Sequence, residues 1–156
     1  MPARRALSAF SPGVERRVYL LLLDDENRLM LCGGCCSAWT VPQIPVDVDT
    51  DFRTAATRFL SERFQIRNPR YGSLYGIHRT SERDCWERDR PTVSRVFVVR
   101  IDVADSDSFL EMSSMHTRWN SADLISHRRE ISPEGVILFA AGYYDGWLPD
   151  GPVSLY

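Results

Sequence analysis

The apolar positions of this chain change period along its length, and the changes mark out its elements. Arg17 opens an unbroken apolar run, Val18-Tyr19-Leu20-Leu21-Leu22-Leu23. Strands covered on both faces read this way. Asp24-Asp25-Glu26-Asn27 interrupts the run and Leu29-Met30-Leu31-Cys32 resumes it, which predicts a hairpin closed by an acidic turn. Between about Asp51 and Phe64 the pattern is helical. Winding at about 100° per residue gathers Phe52, Phe59 and Arg63 in one narrow stripe with Ala56 beside them, and sets Arg58 and Glu62 together on another face. Asp47, Asp49 and Asp51 alternate ahead of this helix, and one of them is placed to cap it. Residues 71–78 and 92–101 read as two more strands, separated by a long charged loop, 79–90, that carries Trp86. Residues 102–108 read as a polar turn. Ile131-Ser132-Pro133-Glu134-Gly135 opens a last helix, with proline at an early position. Strands mixed with two or three helices predict an α/β protein, built as an α/β/α sandwich.

Composition narrows the picture without naming a chemistry. A chain of 156 residues, 44% apolar and 26% charged, is one ordinary globular domain. We expect residues 1–12 to be a flexible N-terminus and 13–156 to form the domain. Met1 to Ser11 has too short an apolar patch for a secretory signal, and no stretch reaches membrane-spanning length, so a cytoplasmic protein is expected. A net charge of −2 supplies no field that would draw the chain to nucleic acid or to an anionic membrane. All 19 basic residues are arginine. GC-rich codon usage in a bacterium would account for that, and lysine Schiff-base chemistry is excluded.

Trp39 to Ile66 carries a resemblance. The segment is similar to the Nudix box, G-x5-E-x7-R-E-U-x-E-E-x-G-U with U aliphatic, after a Trp-x-x-Pro lead-in ending at Val41-Pro42. Arg58, Leu60, Glu62 and Ile66 fall at box positions. Ile44 stands in place of the first glycine, Thr50 of the first glutamate, Phe59 of the Glu in Arg-Glu, Arg63 of the second Glu in Glu-Glu, and Gln65 of the last glycine. The flanks resemble the family over residues 17–153. Residues 118–124 resemble its strand-then-short-helix segment, and 145–149 its common bacterial ending. The resemblance implies a Nudix-type α/β/α sandwich with a mixed central sheet. It implies a degenerate box too, since the box carboxylates gather the Mg²⁺ ions that bridge phosphate oxygens and activate water.

Several side chains are candidates for chemistry. Glu62 is the surviving box carboxylate. Glu111 and His116 lie in the segment before the Trp119 strand, where some Nudix proteins carry a catalytic acid or base, and a histidine there suits proton transfer near neutral pH. Arg63 puts a fixed cation where the metal charge would be, and a guanidinium grips carboxylate or phosphate through two parallel hydrogen bonds. Its bland alternative is a side chain snorkelling to solvent. Arg58 and Trp86 join it as substrate-binding candidates, although Arg58–Glu62 also reads as a helix-surface pair and Trp86 as either a stacking platform or a dimer contact. Cys32, Cys35 and Cys36, with Cys85 and His78 far away, lack the two spaced pairs of a zinc site and read as buried thiols.

The expected function is therefore a Nudix-fold protein that lacks metal-dependent diphosphate hydrolysis and uses its pocket, without a cofactor, to bind or transform a small anionic metabolite, as in specialised metabolism. One alternative is an active hydrolase of a nucleoside-diphosphate-type substrate, with Mg²⁺ held by Glu62, Glu111 and the Asp47–Asp51 run. Another is a non-catalytic structural or ligand-sensing partner, such as a homodimer. The expected partner is a small molecule, with neither nucleic acid nor membrane.

Overall fold

The computed structural model describes residues 15–33, 38–83, 89–131, 140–143 and 152–155, with side chains left aside over 73–83, 89–92 and 152–155. The expected boundary at residue 12, Cys35, Cys36, Cys85, Trp86, the start of the last helix and the tail at 145–149 lie outside the described residues.

The strands are β1 (Glu15–Leu23), β2 (Leu29–Gly33), β3 (Trp39–Thr40), β4 (Gln43–Pro45), β5 (Arg70–Arg83), β6 (Asp89–Arg100), β7 (His116–Trp119) and β8 (Pro152–Leu155). The helices are α1 (Phe52–Phe64), α2 (Val103–Glu111) and α3 (Ser121–Ser126), and residues 140–143 are also helical. The strands form one mixed sheet in the order β3-β2-β1-β6-β5-β8, with β4 added to β1 and β7 to β2. Central β1 runs parallel to β6 from Glu15↔Thr92 to Leu23↔Arg100. On its other edge it pairs antiparallel with β4 at Arg17–Tyr19 and with β2 at Leu23↔Leu29.

Because β1 is covered on both faces, its apolar run is continuous. Val18, Leu20 and Leu22 pack under Ala56, Leu60 and Phe64 of α1 and Phe109 of α2. Tyr19, Leu21 and Leu23 face Leu124 of α3, Ile131 and the partly buried Trp39, Trp119 and Tyr143. Helices on both sides of a mixed sheet make the expected α/β/α sandwich.

Three local expectations need correction. The buried stripe of α1 is Ala56-Leu60-Phe64; Phe52 and Phe59 flank it half-buried, and Arg63 is exposed. Residues 103–111 form a helix, not a turn, because burying Ser106 and Phe109 three positions apart outweighs the weak helix propensity of an Asp/Ser-rich segment. The charged loop at 79–90 is mostly strand: β5 and β6 pair from Arg70↔Arg100 out to Arg83↔Asp89, leaving 84–88 between them.

Both ends of α1 are fastened. The Asp51 carboxylate accepts from Thr54 N–H at 3.0 Å, so Asp51 is the aspartate that caps the helix. The Thr54 backbone bond, with the Thr54 hydroxyl, holds the Asp51 carboxyl below the usual carboxylate range. The preceding turn is clamped by Arg16, whose guanidinium donates to the carbonyls of Asp47, Val48 (3.0 Å) and Thr50 (2.9 Å) and lies 4.2 Å over the Phe52 ring. At the other end Gln65 is left-handed, φ 58°, which lets Ile66 N–H reach the Leu60 carbonyl at 2.9 Å and buries Ile66. Glycine tolerates this conformation best, which gives the closing glycine of the Nudix pattern a structural rather than a chemical purpose.

Asp24, in the acidic turn, is fully buried. Its carboxylate accepts from the Glu26 and Arg28 amides at 2.9 and 3.0 Å, from Arg28 Nε at 2.9 Å and from the Ser106 hydroxyl at 3.0 Å. Burial alone would raise its pKa; the Arg28 amide, the Ser106 hydroxyl, the Arg28 side chain and the Glu26 amide outweigh burial and hold it below the ordinary value of 3.8. Ionised Asp24 therefore stabilises the fold fully above about pH 4, and that contribution is lost as pH falls through the lowered folded-state pKa. Asp24→Ala should reduce the unfolding free energy at pH 7 by about 3 kcal/mol, since it strands several buried donors. The gap from wild type should narrow below about pH 4. Urea unfolding at pH 7 and pH 3 tests this, and equal stability at pH 7 would show that Asp24 is not the anchor.

Candidate functional site

A groove of about 960 Å³ lies beside the C-terminal half of α1. Its walls come from four places. α1 supplies Phe59, Glu62, Arg63 and Phe64; the β3–β4 turn supplies residues 40–43; β2 supplies Cys32; and the chain leaving α2 supplies Met112, Ser113 and His116. The β2–β7 register sets Cys32 directly across from His116. Gly33 N–H donates to the Met115 carbonyl at 2.6 Å, which draws the α2–β7 connection onto the end of β2.

His116 begins a strand and is half-buried, so it is not a solvated loop residue. Its ring stacks on the buried Phe109 ring, centroids 4.1 Å apart and planes 10° apart. Nδ1 lies 2.6 Å from the Phe109 carbonyl oxygen. A carbonyl only accepts, so Nδ1 carries the proton, and Nε2 is the ring nitrogen left to meet a ligand.

Arg63 lines the groove from the last turn of α1. Among the described residues its guanidinium has no hydrogen-bond or ion-pair partner, and neither does the Glu62 carboxylate beside it. Phe59, half-buried, meets Phe64 edge-to-face at 5.3 Å. On the polar wall Gln43 Nε2 donates to Thr40 Oγ1 at 2.9 Å. Cys32 is a free thiol that burial pushes up to about 11, which leaves it protonated and unreactive at neutral pH.

The groove thus brings together Glu62, Arg63 and His116 of the candidates named from sequence. Arg58 is not on its wall. Arg58 lies in a shallower depression of about 520 Å³ on the outer side of α1, which Glu62 also borders, and the expected Arg58–Glu62 ion pair is not formed. Glu111 is exposed at the end of α2 and does not line the groove. Thr50 belongs to the clamped turn before α1. Asp47 and Asp49 are exposed, and no three His, Cys, Asp or Glu side chains gather into a metal-sized cluster among the described residues. A Mg²⁺ ion beside phosphate asks for oxygen ligands, usually one or two carboxylates. Glu62 is the single carboxylate on the described wall, with a guanidinium next to it, and these residues do not fit that ion. Thr40, Gln43, Met112 and Ser113 were not singled out from sequence. The Trp-Thr-Val-Pro lead-in marked the turn but not the role of its side chains.

The three-layer arrangement matches known structures along nearly its whole length. A diadenosine tetraphosphate (Ap4A) hydrolase from C. elegans superposes with TM-score 0.62 at 15% identity, over 84% of this chain and 98% of that one. A NUDIX hydrolase from Nitrosomonas europaea gives 0.64 at 14% identity, over 90% and 93%. The chain has the Nudix fold. The NUDIX domain of Shewanella oneidensis NrtR, solved with ADP ribose, gives 0.59 at 13% identity, over 95% of this chain and all of that domain. No protein-family model and no curated protein matches the sequence. The shared Nudix architecture is therefore a likeness of shape, at identities where the chemistry must be argued from the groove itself.

The raised Cys32 pKa has a direct consequence. With iodoacetamide at pH 8 the folded protein should leave Cys32 unmodified for hours, whereas urea-unfolded chain should be alkylated there within minutes. Peptide mapping by mass spectrometry separates Cys32 from the other cysteines, and rapid native labelling would refute its assignment as a half-buried thiol held protonated by desolvation.

Proposed function

We propose that this Nudix-fold protein does not hydrolyse diphosphates with a metal, and that its groove binds or transforms a small anionic metabolite. The observation that carries the reading is Arg63, whose guanidinium lines the groove without a partner among the described residues, at the position where the Nudix pattern has a glutamate. A guanidinium at the edge of a groove can make charge-assisted, paired hydrogen bonds to a bound anion. His116 Nε2 is the group best placed for proton transfer, with its ring fixed by the Phe109 stack and carbonyl. The apolar wall, Val41, Pro42, Phe59, Phe64 and Met112, suits the body of a small molecule.

The rival reading, a hydrolase with recruited carboxylates, is disfavoured by how its intended ligands are used. Asp51 is committed to the α1 cap, Asp47 and Asp49 are exposed and off the described groove wall, and so is Glu111. The Nudix-fold neighbours include a hydrolase and a domain that holds ADP ribose, which supports a small-molecule ligand in general terms. Neither nucleic acid nor membrane forms part of the proposal. Net charge is −2, and no described helix is long and apolar enough to cross a bilayer. A cytoplasmic setting and a homodimer contact through Trp86 remain compatible with it.

Calorimetric titration with Mg²⁺ or Mn²⁺ should give no micromolar binding to the wild-type protein. Phe59→Glu with Arg63→Glu should create such binding beside Glu62, and should destabilise the metal-free protein by about 1–3 kcal/mol, because Phe59 leaves its edge-to-face contact and a carboxylate takes a half-buried position. Micromolar metal binding by wild type, abolished in Glu62→Gln, would overturn the proposal in favour of the hydrolase.

A further inference from the structure

The groove walls carry few formal charges. Among the described lining residues there is one cation, Arg63, and one carboxylate, Glu62. These two sum to zero. A diphosphate brings at least two negative charges, and phosphate sites ordinarily meet that charge with metal ions or several cations. The Glu62 carboxylate would repel a polyanion held by Arg63 alone, whereas one guanidinium matches one carboxylate in charge and in the geometry of paired hydrogen bonds. The rest of the wall is mixed: Thr40, Gln43 and Ser113 offer polar groups, and Phe59 and Met112 offer apolar surface, around a space of about 960 Å³, near the upper end of small-molecule sites, which suits a ring body that carries hydroxyls. Such a space has room for more than one ring. Lastly, the Nδ1–H tautomer of His116 leaves Nε2 as an acceptor, so a ligand hydroxyl is a better partner there than a second acidic oxygen.

We propose that the groove takes a hydroxylated, multi-ring monocarboxylic acid, with its carboxylate on Arg63 and a hydroxyl donating to His116 Nε2. This rests on the reading above that the groove holds an anion, and it narrows that reading to a class. No bond is made or broken in the binding step, so no co-reactant is needed.

The test uses the intact protein in buffer containing EDTA, with 3-hydroxy-2-naphthoate and 6-hydroxy-2-naphthoate, plain 2-naphthoate, ADP and inorganic pyrophosphate as probes. Naphthoate fluorescence or calorimetry reads the dissociation constants. At least one hydroxynaphthoate should bind more tightly than ADP and pyrophosphate. It should bind about fivefold more tightly than 2-naphthoate, the scale of one neutral hydrogen bond. Arg63→Gln should weaken it by tenfold or more, as loss of a charge-assisted pair does. His116→Phe keeps a ring on Phe109 and should erase the hydroxyl advantage while leaving 2-naphthoate unchanged; its thermal unfolding checks that it still folds. If ADP or pyrophosphate binds more tightly through Arg63, this inference fails and the anion-site reading stands. If no probe binds in an Arg63-dependent way, both fail.

Discussion

The Asp24 carboxylate sets the frame on which the groove hangs. It ends β1, closes the turn into β2, and accepts the Ser106 hydroxyl from the buried face of α2. Ser106 in turn accepts from Arg118 of β7 at 3.0 Å, and Arg118 bonds Asp107 at 2.6 Å. One buried anion thus ties the central strand to α2 and, through α2, to β7. Those last two elements position His116: α2 provides the Phe109 ring and carbonyl, and β7 provides the residue itself. A buried carboxylate without these donors would be costly, and with them it imposes a single arrangement on three elements that apolar packing alone would leave free to slide.

The strands were readable because burial on both faces leaves a plain mark. Val18 to Leu23 has no polar residue to interrupt it, and the turn after it is acidic, so the hairpin and its place in the core follow from residue type. The three-layer class followed from the mixture of elements. What resisted was whatever depended on tertiary partners. α2 looked like a turn because only Ser106 and Phe109 of its nine residues are buried, and nothing local says that Asp24 waits for the serine. The long β5–β6 pair was hidden by charged residues, since a ladder of backbone hydrogen bonds needs no apolar side chains. The α1 stripe was misjudged by one position. Phe59 is large and apolar, but the sheet meets the side of the helix that carries Ala56, Leu60 and Phe64.

The candidate groove was legible in the same uneven way. Glu62, Arg63 and His116 stood out as candidates because each is unusual for its place: the surviving box carboxylate, an arginine where the pattern has glutamate, a histidine before the Trp119 strand. That they share one groove was not inferable, since it depends on the α2–β7 connection being drawn onto Gly33 and on the length of α1. Glu111, five residues from His116, ends on the outside because it closes α2 before the chain turns. Arg58, five residues before Arg63, points elsewhere by helical winding alone.

The helix also separates the residues that hold the fold from those that face the groove. In α1 the residues that hold the sheet are Ala56, Leu60 and Phe64, and those that fasten its ends are Asp51 and Gln65 with Ile66. The positions at which the Nudix pattern has glutamates and this chain has Thr50, Phe59 and Arg63 form no part of that buried stripe. Carboxylates crowded together without a metal repel one another, and this helix carries a single carboxylate, Glu62, on the described groove wall. Phe59 makes an edge-to-face contact with Phe64, and Arg63 places a cation on the groove wall. Phe64 serves both the buried stripe and the groove wall, while Glu62 and Arg63 face the groove from outside that stripe, so changes at those two positions leave the packing of α1 on the sheet intact.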